Sequence, residues 1–74
     1  MNAREWIDQF AERLGVPAPT AEEFSVLLEV AGVAAHASER VAAPVSCWVV
    51  GRAGISPEQA LAAARELAGA DGDA

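Results

Sequence analysis

The sequence predicts an all-α protein, a compact four-helix fold with short connections. Helix-start signals of capping residues or proline precede four segments. Apolar residues recur at helical spacing in the first, second and fourth segments. The remaining segment, VSCWVV at residues 45–50, has strong strand character, but the chain offers no second strand to pair with it. We therefore expect a helix there too, with a strand over these residues as the alternative.

The first predicted helix runs from Asn2 to Leu14. Asn2 can cap it, and Glu5 stands three residues on, in a capping-box-like arrangement. Gly15 then offers a left-handed end, followed by the stiff connector VPAP at residues 16–19. One face of this helix carries its large apolar side chains, Trp6, Ile7, Phe10 and Leu14.

The second predicted helix begins after Thr20, which pairs with Glu23 as a capping box, and runs to about Arg40. Glu29 is the only charge between Glu23 and Glu39, so we expect the helix to be largely buried. Gly32 within it predicts the close approach of another helix. The apolar stripe consists of Phe24, Leu27, Leu28, Ala31 and Ala35.

The third predicted helix begins at Pro44, because proline is favoured at the first helical position. Proline also disfavours helical geometry in the residue before it, here Ala43. The residues from Val45 to Val50 are apolar nearly all round and predict a buried helix. The second and third helices should therefore form the centre of the fold.

The fourth predicted helix begins with Ser56 as its cap, Pro57 at its first position and Gln59 completing a capping box. It should end at Gly69. This predicts a single helical domain over residues 1–69 and a disordered C-terminal tail over residues 70–74.

The charge balance of the chain limits its partners. The 74 residues carry a net charge of −6, and all five basic residues are arginines. Nucleic-acid phosphates and anionic membrane surfaces would repel such a chain, whereas a basic protein surface would attract it. We also expect no secretory signal, and no stretch approaches the roughly 20 apolar residues of a membrane span. We therefore expect a cytoplasmic protein that binds neither nucleic acid nor membrane.

The residues that could carry catalysis do not assemble into a catalytic set. Cys47 is the only cysteine, and its apolar neighbours favour a small buried hydrophobe over a nucleophile. One histidine and one cysteine do not make a tetrahedral metal site. Neither Ser25 nor Ser46 has the Asp-Ser-Leu context of an acyl carrier protein. We expect no enzyme activity, no catalytic residue, no metal and no cofactor.

Two groups of residues are candidates for binding. His36, Arg40 and Pro44 mark the predicted corner between the second and third helices, where a cation also complements the helix dipole. Arg40 could instead grip a phosphate or nucleotide. Trp6 and Trp48 are candidates for an interface with a second copy or with another protein, because so thin a domain cannot cover every apolar face.

A pattern within residues 36–51 carries a family resemblance. The segment HASERVAAPVSCWVVG reads H-x3-R-x2-A-P-x6-G, with its informative positions at His36, Arg40 and Pro44. Together with EWI at residues 5–7 and SPEQA at residues 56–60, it resembles a small actinobacterial domain family of unknown function. Members of that family are often encoded beside, or fused to, molybdenum-cofactor guanylyltransferases. The chain departs from related sequences in the short run between Gly51 and Ser56, which predicts a shorter third helix.

The resemblance implies an accessory or protein-interaction domain that serves the synthesis of molybdopterin guanine dinucleotide, with a guanylyltransferase as its partner. It supplies no catalytic residue. Two alternatives stay open: a phosphate- or nucleotide-binding module at the His36/Arg40 corner, and a homodimeric structural module without a ligand.

Overall fold

The protein consists of four α-helices, α1 (Ala3–Leu14), α2 (Ala21–Ala37), α3 (Ala42–Ala53) and α4 (Pro57–Gly72). The structure, a computed structural model, describes the backbone of residues 1–72 and the side chains of residues 1–69. The all-α prediction is confirmed. The segment at residues 45–50 is helical, as expected from its lack of a partner strand.

The start of α1 follows the predicted chemistry in part: Asn2 caps the helix, but among the described residues the Glu5 side chain does not complete a capping box. The backbone N–H of Glu5 donates to Oδ1 of Asn2 at 2.8 Å, which satisfies one of the N–H groups that the first turn leaves free. At the other end, Gly15 adopts a φ of 73°, and its N–H donates to the carbonyl of Glu12 at 3.0 Å. Glycine is needed here because a side chain strains this left-handed conformation.

Two complete capping boxes fix the starts of α2 and α4. Glu23 N–H donates to Thr20 Oγ1 at 3.1 Å, and Thr20 N–H donates to Glu23 Oε1 at 2.8 Å. Ser56 and Gln59 repeat the arrangement, with distances of 3.1 Å and 3.0 Å. Both were predicted from the residue spacing alone.

The predicted end of α2 lies too far along the chain. The helix ends at Ala37, not near Arg40, and Ser38 caps it. The Ser38 hydroxyl donates to the carbonyl of Ala34 at 2.8 Å, the kind of local bond by which serine competes with the regular helical pattern. Ala42 N–H then donates to the carbonyl of Glu39 at 3.0 Å, which closes a tight turn into α3.

The start of α3 was predicted too far along the chain. The helix begins at Ala42, so Pro44 occupies its third position, and Ala43 is helical despite the proline that follows it. Proline fits anywhere in the first turn, because the N–H groups there have no partner within the helix. A bond of 3.2 Å from Ala43 N–H to the carbonyl of Arg40 holds this turn in helical geometry.

Helix α4 was predicted to end at Gly69 but continues to Gly72. Residues 73–74 of the predicted disordered tail lie outside the described residues. The division into a domain of residues 1–69 and a tail of residues 70–74 therefore stays a prediction.

The centre of the fold is α2, which packs against both α3 and α4. Val30 of α2, only 2% exposed, forms the core with Ala60 and Leu61 of α4, and Val26, Val33 and Val50 pack around them. The expected central role of α2 is confirmed, but that of α3 is wrong, because α3 contains no fully buried residue. The outer position of α3 makes one of its faces available.

Gly32 does not serve the close helix approach that the sequence predicted. Apart from its chain neighbours and the adjoining backbone of α2, no heavy atom lies within 4 Å of the position that a Cβ would take at Gly32. A contact between α1 and α2 lies nearer the start of α2. There the guanidinium of Arg4 stacks over the ring of Phe24, 4.8 Å from its centroid.

Candidate functional site

The predicted corner of His36, Arg40 and Pro44 lies where α2 turns into α3. His36 occupies the last turn of α2, Arg40 lies in the connection, and Pro44 lies in the first turn of α3. All three side chains are exposed. Among the described residues, none of them takes part in a side-chain hydrogen bond. The corner thus has the position that the sequence predicted, without a network that would orient its side chains.

A cavity of about 180 Å³ opens beside this corner, between α2, α3 and α4. Its polar side chains are the hydroxyls of Ser38 and Ser46, and the rest of its lining is alanine, valine and leucine. Neither His36 nor Arg40 lines it. The structure therefore does not bring the candidate cations into the nearest enclosed space.

An exposed aromatic patch covers one side of α1. We call Met1, Trp6, Phe10 and Leu14 the α1 patch. The rings of Trp6 and Phe10 stack with centroids 4.9 Å apart. They stay 54% and 48% exposed, although the same helix buries Ala11. The aromatic side of α1 therefore faces solvent.

A second exposed apolar surface runs along α3. We call Val41, Val45, Trp48, Val49 and Arg52 the α3 stripe. Their spacing places them on one side of the helix, and the apolar members are 55–69% exposed. The guanidinium of Arg52 lies 5.4 Å from the ring centroid of Trp48. This surface ends in a cation held over an aromatic ring.

The prediction that residues 45–50 form a buried helix is wrong, and the reason is the geometry of α3. Ser46, Cys47 and Val50 lie on the side opposite the stripe and are half-buried. Helix α2 covers only that side. Because α3 is apolar on both sides, packing onto a single neighbour leaves the other side in water.

Val49 joins the stripe to an open apolar cavity of about 240 Å³. This cavity lies between the three packed helices, and Val50, Ile55 and Ala60 also line it. Its lining contains no charged residue. Such a recess beside an apolar stripe can accept an aliphatic side chain from outside.

Cys47 lies on the packed side of α3, half-buried and unpaired by any disulfide. Burial removes water from the sulfur, and this desolvation raises the pKa of the Cys47 thiol. The thiol therefore stays neutral near neutral pH, which agrees with its predicted role as a small hydrophobe rather than a nucleophile.

We expect Cys47 to react more slowly with a thiol reagent than an unperturbed cysteine does at pH 8. The folded-state pKa is raised, so the neutral thiol stabilises the fold at low pH, and that contribution is lost as the pH rises through the folded pKa. Reaction with dithionitrobenzoate should accelerate when the chain is unfolded in urea. Equal rates with and without urea would contradict the burial of this sulfur.

No cluster of three or more metal-ligating side chains occurs within the described part of the chain. Within the same part, no helix combines the length and the apolar character needed to cross a bilayer.

Comparison with known protein families identifies one relationship. The family model described as "Domain of unknown function (DUF6457)" matches residues 1–74. The chain belongs to this family. Neither the curated proteins nor the solved structures contain a significant match to it.

Sequence reasoning about this DUF6457 domain named both tryptophans as interface candidates but did not define the surface around Trp48. Val41 was assigned to no surface, and Arg52 was counted only as a charge. The signal was present, because residues 41, 45, 48 and 52 recur at helical spacing on one side. The one-sided pattern was hard to recognise because residues 46, 47 and 50, on the other side of the helix, are also apolar or small. The composition of the segment therefore predicts a helix that is buried on all sides.

Proposed function

We propose that this DUF6457 domain is a non-enzymatic protein-interaction domain. One observation carries the proposal: large apolar side chains crowd the surface of a chain whose core is small. Among residues 1–69, whose side chains the structure describes, the buried hydrophobic residues are Ala11, Val30, Ala60 and Leu61, whereas twelve large hydrophobic residues are 42–74% exposed. Contiguous exposed apolar surface of this kind is typical of binding sites for other proteins.

The two exposed tryptophans belong to different surfaces, the α1 patch and the α3 stripe. Tryptophan is enriched among the residues that dominate binding energies at protein interfaces. Trp6 is 54% exposed, and its ring stacks on that of Phe10. Trp48 is 64% exposed, and the guanidinium of Arg52 lies over its ring. Rings held in this way lose little freedom on binding, which favours association.

We further propose that the partner is a molybdenum-cofactor guanylyltransferase in the cytoplasm. The support for this step is the resemblance carried by the pattern His36, Arg40 and Pro44 and by the segments EWI and SPEQA. The domain would then act as an accessory to an enzyme that makes molybdopterin guanine dinucleotide, and would contribute no catalytic group.

The decisive experiment is titration calorimetry of the purified domain with the guanylyltransferase from the same organism. We expect binding, and we expect Trp6→Ala combined with Trp48→Ala to weaken it at least about tenfold, about 1.4 kcal/mol. Leu28→Ala is the matched control, because Leu28 is 61% exposed on α2 and belongs to neither surface. Absence of binding, with molybdoenzyme activity unchanged in a strain that lacks the domain, would overturn the proposal.

A ligand-binding role at the corner makes the opposite prediction. GTP or inorganic phosphate would then raise the melting temperature of the wild type but not of Arg40→Ala. We expect neither ligand to shift the melting temperature, because no cationic side chain lines the cavity beside the corner.

A further inference from the structure

We propose that the α3 stripe is the docking surface for an amphipathic helix whose apolar side is flanked by carboxylates. This inference rests on the proposed interaction role and deepens it, because it names one surface and the chemistry of the segment that covers it. The juxtaposition that carries it is an exposed apolar stripe on a stretch of sequence, Arg40 to Pro57, that contains arginines but no carboxylate in an otherwise acidic chain.

The first step is the shape of the stripe. Val41, Val45, Trp48 and Arg52 repeat every three to four residues, so they form a row along one side of a helix about three turns long. Ridges of this kind pack against another helix. The cavity of about 240 Å³ next to Val49 gives the row a recess for one aliphatic side chain.

The second step is the charge around the stripe. From Arg40 to Pro57 the chain contains two arginines and no carboxylate. The whole chain has a net charge of −6, so the rest carries −8, which is −6 minus +2. The stripe therefore lies on the segment whose charge is opposite to that of the rest of the molecule.

The third step concerns Arg52, the one charged member of the stripe. Its guanidinium lies over Trp48, 5.4 Å from the ring centroid, and no side-chain hydrogen bond joins it to another described residue. A guanidinium offers a fork of donors that fits a carboxylate in a bidentate manner. A partner whose apolar residues contact Trp48 brings its flanking side chains within reach of Arg52.

The same charges argue against a second copy of the chain as the occupant. Two-fold pairing would place the same stripe on both sides of the interface. It would bring the Arg40–Pro57 segments together, each with two arginines and no carboxylate. Like charges meeting without a counter-charge oppose association, so we commit to a carboxylate-bearing partner.

The test uses two labelled helical peptides of roughly four turns with the same leucine face, one flanked by glutamates and the other by lysines. Binding to the full chain is followed by fluorescence anisotropy near 0.15 M salt, where the Debye length is about 8 Å and distant acids are screened. We expect the glutamate peptide to bind about tenfold more tightly. The net charge of −6 by itself would give the opposite order.

Three variants locate the binding. Trp48→Ala should weaken binding of both peptides, whereas Trp6→Ala should change neither. Arg52→Gln should remove the preference for glutamate, and Arg65→Gln should leave it intact. Arg65 is an exposed arginine of α4, so the two glutamine variants change the net charge equally. Circular dichroism checks that each variant is folded.

The inference is overturned if the lysine peptide binds as well or better, if neither peptide binds, or if Trp6→Ala rather than Trp48→Ala removes binding. It is also overturned if light scattering shows a dimer that Trp48→Ala dissociates. Guanylyltransferase binding that depends on Trp6 alone would refute this inference and leave the proposed function standing. Absence of both peptide and enzyme binding would remove both.

Discussion

Replacing Leu61 with alanine is expected to lower the free energy of unfolding by about 2–5 kcal/mol. Leu61 is 8% exposed and packs with Val30 and Ala60 where α4 meets α2. The change removes apolar area and leaves a cavity in the main core cluster. A domain of this size has a total stability of roughly 4–11 kcal/mol, so Leu61→Ala removes a large fraction of it.

The same substitution at Leu67 is the matched control. Leu67 lies on the same helix but is 68% exposed, and we expect Leu67→Ala to cost less than about 1 kcal/mol. Urea unfolding followed by circular dichroism measures both. If the two variants lose equal stability, the core does not lie between α2 and α4.

The starts of α1, α2 and α4 could be predicted because their chemistry is local. Thr20 with Glu23, and Ser56 with Gln59, form reciprocal hydrogen bonds between groups three residues apart, so the spacing alone specifies them. The left-handed Gly15 is a similar case, since glycine is the residue that best tolerates a φ of 73°.

The end of α2 and the start of α3 were less predictable because several local bonds compete there. Ser38 could have continued α2, yet its hydroxyl bonds the carbonyl of Ala34 and the chain turns. Pro44 could begin a helix or lie within its first turn, and the hydrogen bond between Ala43 and Arg40 favours the second arrangement. The energy differences between such alternatives are small, so spacing rules do not separate them.

The exposed site could be predicted only in part, because exposure depends on how many neighbours a helix has. The composition of α3 predicts burial, and a fold with another layer would bury it. Here α2 lies at the centre and contacts α3 from one side, so Trp48 and Val49 face solvent. Trp48 was predicted to lie in the core or at an interface, and the structure places it on the surface, whereas the position of Arg52 over its ring required the structure.

The largest loss of stability is expected from Val30→Asp. Val30 is 2% exposed, the most deeply buried side chain among those described, and it lies at the centre of the core cluster on α2. A carboxylate there would lose its water without gaining a charged partner, at a cost of several kcal/mol. At neutral pH we expect this variant to be mostly unfolded, with loss of the helical circular dichroism signal.

The pH dependence of this variant separates a buried charge from a simple packing defect. Burial raises the folded-state pKa of the new carboxyl above its unfolded value of about 3.9. The protonated form is therefore tolerated in the core, and stability is lost as the pH rises through the folded pKa. Relative to wild type at the same pH, Val30→Asp should be more stable at pH 4 than at pH 7.

Leu28→Asp provides the control, because Leu28 lies on the same helix and is 61% exposed. Its carboxylate stays hydrated, so we expect a small loss of stability with little dependence on pH. Equal losses of stability with the same pH profile in the two aspartate variants would contradict the burial of Val30 in the core between α2 and its neighbouring helices. If they differ as expected, the position of α3 depends on Val30, whose core cluster packs against Val50 of α3. Binding at the stripe would then be lost in Val30→Asp through unfolding and in Trp48→Ala without it.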